Sequence, residues 1–243
     1  MTDRTCRVRW TWTDAVLEEC ERVLDAPERE RLARFQHDGA RRSFLAGRVT
    51  LRVTLGEVLD VAPANVPLDA TCSRCGAPHG KPRVAATTDI EASLSHANGL
   101  VAVAVTSAGP VGVDVEEERH GEDLLECSDL VLGQTEFARL GTVAAPDRAA
   151  SLLRAWTRKE AILKATGEGL PGDMTSLEVS AADASAALVR ARTRPWLERH
   201  TFLHDLETPD GYLGSLAVLG AVTRVDAREF STDDLRRALR LPR

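Results

Sequence analysis

One arrangement recurs in the two halves of this chain, and it limits the fold more than any other feature. SLSHANGLVAVAV at 93–105 and HTFLHDLETPDGYLGSLAVLG at 200–220 each read as strand, glycine-bearing turn, then a strand of small apolar residues. Asn98-Gly99 makes the first turn, and TPDG the second. Helical three-and-four spacing precedes both, over 27–60 in one half and 149–166 in the other. The expectation is an α+β chain of two similar α/β halves, residues 1–107 and 108–243.

Between these landmarks the pattern is readable in outline. Residues 14–25 (DAVLEECERVLD) carry helical spacing, so the first half is expected to open helically. Positions 61–82 are rich in Pro, Gly and Ala and read as an extended connection with turns. TSAGP at 106–110 is a turn, and PVGVDVEEE at 110–118 resumes as a strand. A helical region through 123–140 follows, then strands near 176–180, 199–206 and 212–219. Gly167 and Gly169 end the 149–166 helix, as C-terminal glycines do. From 228 the tail reads as a short helix capped by Ser231 or Thr232.

Composition bears mainly on what is excluded. At 243 residues and 43% hydrophobic, the chain can bury a substantial core. A formal net charge of −6 argues against a general nucleic-acid binder, which needs a basic surface for phosphates. No run approaches the ~18 apolar residues of a membrane span, and MTDRTCRVRW has no signal-peptide character. Five scattered cysteines make no disulfide framework. These features lead to an expectation of a cytoplasmic location, with no nucleic-acid or membrane partner.

Basic residues are distributed unevenly. Of 31, only Lys81, Lys159 and Lys164 are lysines, and two of these fall in RAWTRKEAILKATGEGL, residues 154–170. If 149–166 is helical, Trp156, Glu160 and Lys164 share one stripe. Glu160 and Lys164 also suit an ordinary helix ion pair worth ~0.3 to 0.5 kcal/mol. In GVDVEEE, Asp114 and Glu116 point to one face of a strand with Cα atoms ~6.6 Å apart, placed to converge on a divalent cation. The same spacing fits a solvated acidic strand end running into Glu117 and Glu118. Residues 29–52 hold seven arginines against Glu30 and Asp38, a basic island in an acidic chain. An island of this kind opposite carboxylates suits a polyanion held by arginine at one end and metal at the other. Cys72, Cys75 and His79 supply three possible zinc ligands, with no second CxxC to close the set; buried thiols in a turn are the other reading.

Taken in order, GKP (80–82), SLSHA (93–97), GVDVE (112–116) and WTRKEAILKATGEGL (156–170) resemble the motifs of the 4′-phosphopantetheinyl transferases. The resemblance covers about residues 80–170, and the last motif is its most specific part. The length resembles the longer, surfactin-type class, which implies a monomer whose two halves form a pseudo-dimer. It further implies transfer of 4′-phosphopantetheine from coenzyme A to a serine of an apo acyl or peptidyl carrier protein, with release of adenosine 3′,5′-bisphosphate. Asp114, Glu116 and Glu160 match the family's Mg²⁺ ligands, Mn²⁺ being an alternative ion. Glu160 matches the base for the carrier serine, and Lys164 the cation that neutralises the diphosphate. Lys81 and Pro82 match positions near the nucleotide. Ser95, His96 and Arg42 match residues for the 3′-phosphate of coenzyme A, with Arg31 and Arg34 as further basic candidates. The resemblance assigns no role to Lys159. The island departs from the family in carrying arginines where members often have lysines.

Two other functions suit the same residues. One is a binding module for coenzyme A or a carrier that does no transfer. The other is a different metal-dependent phosphotransferase or hydrolase acting on nucleotides.

Overall fold

TCRVRWTW alternates in period two, and Thr5–Trp12 is a strand, β1, with Cys6 and Val8 buried. The first half therefore opens on a strand and not a helix. Residues 14–25 also depart from the helical expectation: they form two 3₁₀ turns, Thr13–Ala15 and Glu18–Val23, separated by Leu17 in an extended conformation. The first regular helix begins at a capping box. Asp25 accepts from the Glu28 N–H at 2.9 Å and donates its own N–H to Glu28 Oε2 at 3.2 Å, starting α1 (Ala26–Ala33). The structure is a computed structural model that describes residues 4–71, 76, 80–85, 89–167 and 173–241.

Helix α2 (Asp38–Leu59) buries every residue from Leu45 to Gly56. The connection after it holds a 3₁₀ turn and a two-residue ladder of β2 (Leu68–Asp69) with β3 (Arg83–Val84). Strands β4 (Glu91–Ala97) and β5 (Leu100–Thr106) form the expected hairpin. Its turn places Asn98 at φ 33° and Gly99 at φ 91°, the positive angles that a two-residue turn demands.

The second unit begins with β6 (Val111–Glu117). The helical region after it is broken into α3 (His120–Leu125), α4 (Ser128–Val131) and α5 (Gln134–Thr142). The long α6 (Arg148–Thr166) ends at Gly167 with φ 78°. A small ladder of β7 (Leu177–Val179) with β8 (Leu188–Ala191) and the short α7 (Leu197–His200) lead to β9 (Thr201–Leu206) and β10 (Tyr212–Leu219). The chain then contributes β11 (Arg224–Glu229) and α8 (Thr232–Leu239), the latter capped by Ser231.

Two compact units result. One takes the chain up to Ser107 and again from Arg224; the other is Ala108–Thr223. The last segment thus joins the first unit, whereas the sequence reading continues the second half to 243. The physical reason is pairing and burial. Strand β11 lies parallel to β1, from Thr5 opposite Arg224 to Trp10 opposite Glu229, and Phe230, Leu235 and Leu239 enter the core around α2.

The units repeat one topology. In the first, β1, α2 and the β4–β5 hairpin give the antiparallel order β1-β5-β4, extended by β11. In the second, β6, α6 and the β9–β10 hairpin give β6-β10-β9, again antiparallel. Each sheet packs its apolar face on its long helix: Val101, Val103 and Val105 share a core with α2, and Leu203 and Ala217 share one with α6. The α+β class and the two similar halves follow from this.

Candidate active site

Gly112 determines how closely α6 approaches β6. A Cβ on this residue would lie 1.9 Å from the Ala161 carbonyl oxygen and 2.5 Å from the Ala165 nitrogen, so only glycine allows the contact. Gly112, Asp114 and Glu116 alternate onto one face of β6, the face that lies under the helix. Asp114 is 2% exposed and Glu160, arriving from α6, is 6% exposed. One turn further along α6, Lys164 donates from Nζ to Asp114 Oδ1 at 2.6 Å.

The carboxylates perturb one another. Burial, and after it the charge of Asp114, push the Glu160 carboxyl from an ordinary 4.5 up to about 7; Lys164 opposes this and Glu116 adds to it. Glu116 is also raised, by burial and then Asp114, while His120, its Nδ1 3.2 Å from Glu116 Oε2, pulls the other way. Glu160 Oε1 is buried and has no hydrogen-bond partner. A carboxylate held in this way favours either a proton or a cation.

Among the described residues no three His, Cys, Asp or Glu side chains stand ready as a metal cluster. The positive charge beside Asp114 is the Lys164 ammonium. As a donor set, however, Asp114, Glu116 and Glu160 suit Mg²⁺: all are carboxylates, the ligand class of hard cations, and Glu160 Oε1 is a buried acceptor with unmet demand.

Lys159, one residue from Glu160, has a different task. It is fully buried and donates to Glu136 Oε2 at 2.5 Å, to the Val131 carbonyl at 2.7 Å and to the Met174 carbonyl at 3.2 Å. Glu136 in turn accepts from the Gly133 and Val179 N–H groups. Lys159 is therefore a core cation that ties α6 to α4, α5 and the approach to β7. No local sequence signal separates it from Lys164 except its helix face.

In the first unit the basic island divides. Arg52 is fully buried and bonds to Asp25, Glu28 and the carbonyls of Pro63 and Val66. Arg34 pairs with Glu30, and Arg41 with Glu18 and Glu21. Arg31 and Arg48 lie over the Phe44 ring, 5.1 and 5.3 Å from its centroid. Arg42 is exposed and, with Thr13, Ser43 and Asn98, lines a cavity of about 500 Å³. Lys81 lies 3.8 Å from Glu91, and Pro82 is half-buried. Ser95 is buried and His96 exposed, on opposite faces of β4. His96 shares its face with Ala92 and Leu94, which pack in the α2 core. Cys72, Cys75 and His79 lie outside the described residues. No described helix is long and apolar enough to cross a membrane.

Buried carboxylates from β6 and α6 beside a lysine of the same helix are groups suited to catalysis. The chain matches the family model of the 4′-phosphopantetheinyl transferase superfamily over residues 110–217, and the match indicates an enzyme. It is 29% identical over 211 residues to the 4′-phosphopantetheinyl transferase HetI of Nostoc sp., covering 85% of this chain and 83% of that protein. It is 24% identical over 161 residues to a 4′-phosphopantetheinyl transferase of Bacillus subtilis, covering 66% and 68%. The crystal structure of Thermotoga maritima holo-[acyl-carrier-protein] synthase aligns over 46% of this chain and 64% of its own, at 22% identity and a TM-score of 0.38.

Proposed function

We propose that the chain transfers 4′-phosphopantetheine from coenzyme A to a serine of an apo acyl or peptidyl carrier protein, releasing adenosine 3′,5′-bisphosphate, and that it does so as a Mg²⁺-dependent monomer of the surfactin-type class. The observation that carries this reading is the buried carboxylate of Glu160, raised to about 7 beside Asp114 and one turn from Lys164.

Asp114, Glu116 and Glu160 would hold Mg²⁺ (or Mn²⁺), which would supply positive charge against the diphosphate of coenzyme A. Glu160 accepts the proton of the carrier serine. The serine oxygen forms a bond to the β-phosphorus, and the bond from that phosphorus to the bridging oxygen breaks. Adenosine 3′,5′-bisphosphate leaves with that oxygen. Lys164, a compact ammonium on a flexible stem, balances the charge growing on the phosphate oxygens. Arg42, Lys81, Pro82, Ser95 and His96 form the nucleotide side of the donor site, with arginine binding phosphate as a fork of donors.

Intact-mass spectrometry tests the reading. An apo carrier protein incubated with the chain, coenzyme A and Mg²⁺ is expected to gain the mass of one phosphopantetheine, and to gain nothing when the ion is chelated. Unchanged mass across fatty-acid, polyketide and peptide carriers would reject it.

A further inference from the structure

The face of the second sheet that lies under α6 carries a polar row. Asp114 on β6, Ser215 on β10 and Asp205 on β9 are direct cross-strand neighbours, since Ser215 pairs in register with both acids. Directly opposite residues project to the same face of a sheet. Asp114 and Ser215 are buried, and Asp205 is partly covered. Above the row, α6 supplies a matching series. Thr157 Oγ1 lies 3.0 Å from Ser215 Oγ, and Ser215 Oγ donates to Asp205 Oδ1 at 3.3 Å. Arg158 donates to both oxygens of Asp205, at 3.0 and 2.6 Å, and also to the carbonyls of Ser180, Ala181 and Ala184. Arg154 donates to the Gly214 carbonyl at 2.9 Å.

Thr157 precedes Glu160 by three residues, so both side chains descend from one side of the helix. Thr157 meets Ser215, and Glu160 descends beside Ser215's neighbour, Asp114. Arg158, about 200° around the helix from Glu160, anchors the opposite flank. At Gly112 the helix–sheet contact is smooth, with the glycine against the backbone of Ala161 and Ala165 and Ala217 in register beside it. Smooth packing tolerates rotation and sliding, but a buried hydroxyl and carboxylate lose their partners when the helix turns or slides. Buried polar groups of this kind add little to stability over an apolar surface; where they have a use, it is in selecting one register.

We propose that Thr157, Ser215, Asp205 and Arg158 are positioning residues that fix the rotation and register of α6, so that the Glu160 carboxylate meets Asp114 as a divalent-ion site. The inference rests on the proposed role of Glu160 as a ligand.

Mn²⁺ binding to the purified chain without coenzyme A or carrier, followed by electron paramagnetic resonance, tests the row. Thr157→Val keeps shape and removes the hydroxyl, whereas Thr157→Ser keeps the hydroxyl. Thr157→Val and Ser215→Ala are expected to weaken Mn²⁺ binding about tenfold, the low end for residues that support metal ligands. Thr157→Ser is expected to stay within about twofold of the parent, since it retains the supporting contact. Melting curves taken alongside separate folding from positioning. If Thr157→Val and Ser215→Ala bind Mn²⁺ like the parent, whatever their melting temperatures, the positioning role is overturned and the ligand assignment stands. A parent chain with no saturable Mn²⁺ binding overturns the ligand assignment, and the positioning role with it.

Discussion

Lys159 Nζ lies 2.5 Å from Glu136 Oε2, and both side chains are buried. The two lysines of the 154–170 stretch therefore do unlike work five residues apart: Lys164 faces Asp114 at the site, and Lys159 holds the unit's core together. Breaking one side of a buried pair strands the other charge, at a cost of about 3–5 kcal/mol. Lys159→Met is expected to lower the unfolding free energy by that amount in a urea titration. An unchanged midpoint would contradict a structural role.

Gly112 yields a second expectation. Any side chain there collides with the backbone of α6 at Ala161 and Ala165. Gly112→Ala must push the helix away from β6, and overpacking of this kind costs about 1–3 kcal/mol or more. The displacement also carries Glu160 from Asp114, so the variant is expected to lose both thermal stability and Mn²⁺ binding. A variant that melts lower but binds Mn²⁺ like the parent would separate the packing of α6 from the site.

Much of this arrangement was legible in the sequence because it is local. The Asn98-Gly99 turn, the glycine end of α6, the Ser231 cap and the shared face of Asp114 and Glu116 each follow from neighbouring residues. What was not legible depends on partners far along the chain. Strand β1 is followed by residues of helical spacing, and it is secured by β5 and β11, about 90 and 220 residues away. The Asp114-Ser215-Asp205 row exists only through register across three strands. Residues 14–25 show the limit of periodicity: apolar spacing is present, but the segment breaks at Leu17 and ends at the Asp25 cap before a full helix forms.

Glu160 gives the metal-free protein a pH dependence with a definite sign. Its carboxyl is raised from 4.5 to about 7 in the folded state, so the folded protein holds this proton more tightly than the unfolded chain. Stability from this group is complete below about 4.5, is lost as pH rises through about 7, and is flat above. With EDTA present, Glu160→Gln is expected to flatten that part of a pH series of urea midpoints and to exceed the parent in stability at alkaline pH. Turnover is expected to be abolished. A parallel pH series for parent and variant would show that the buried carboxyl is not the cause.

The returning segment carries its own test. Phe230 is 1% exposed, lies in the α2 core, and has the Arg9 and Arg228 guanidiniums over its ring at 5.6 and 5.1 Å. Arg9 further pairs with Asp226 at 2.8 Å. Truncating a buried phenylalanine costs about 3–5 kcal/mol. Phe230→Ala is expected to show that loss in urea and to release β11 and α8, read as faster amide exchange in β1, the strand that β11 covers. Exchange in β1 equal to the parent's would mean that β11 stays paired without its anchor.

The donor side can be tested residue by residue, because Ser95 and His96 leave β4 on opposite faces. The face of His96 is the one whose Leu94 meets α2, where a Cβ on Gly47 would touch it at 2.7 Å, and α2 also carries the exposed Arg42. A phosphate held between α2 and β4 is thus within the province of Arg42 and His96 more than of Ser95. A charge-assisted hydrogen bond is worth about 1.5–3 kcal/mol, and 1.4 kcal/mol is about tenfold in binding. Arg42→Ala and His96→Ala are each expected to raise KM for coenzyme A about tenfold while leaving KM for dephospho-coenzyme A unchanged, since that donor lacks the 3′-phosphate. Ser95→Ala is expected to keep most of the parent's preference between the two donors. If Ser95→Ala erases the preference and His96→Ala does not, the 3′-phosphate lies on the other face of β4 and the placement of the donor must be reversed.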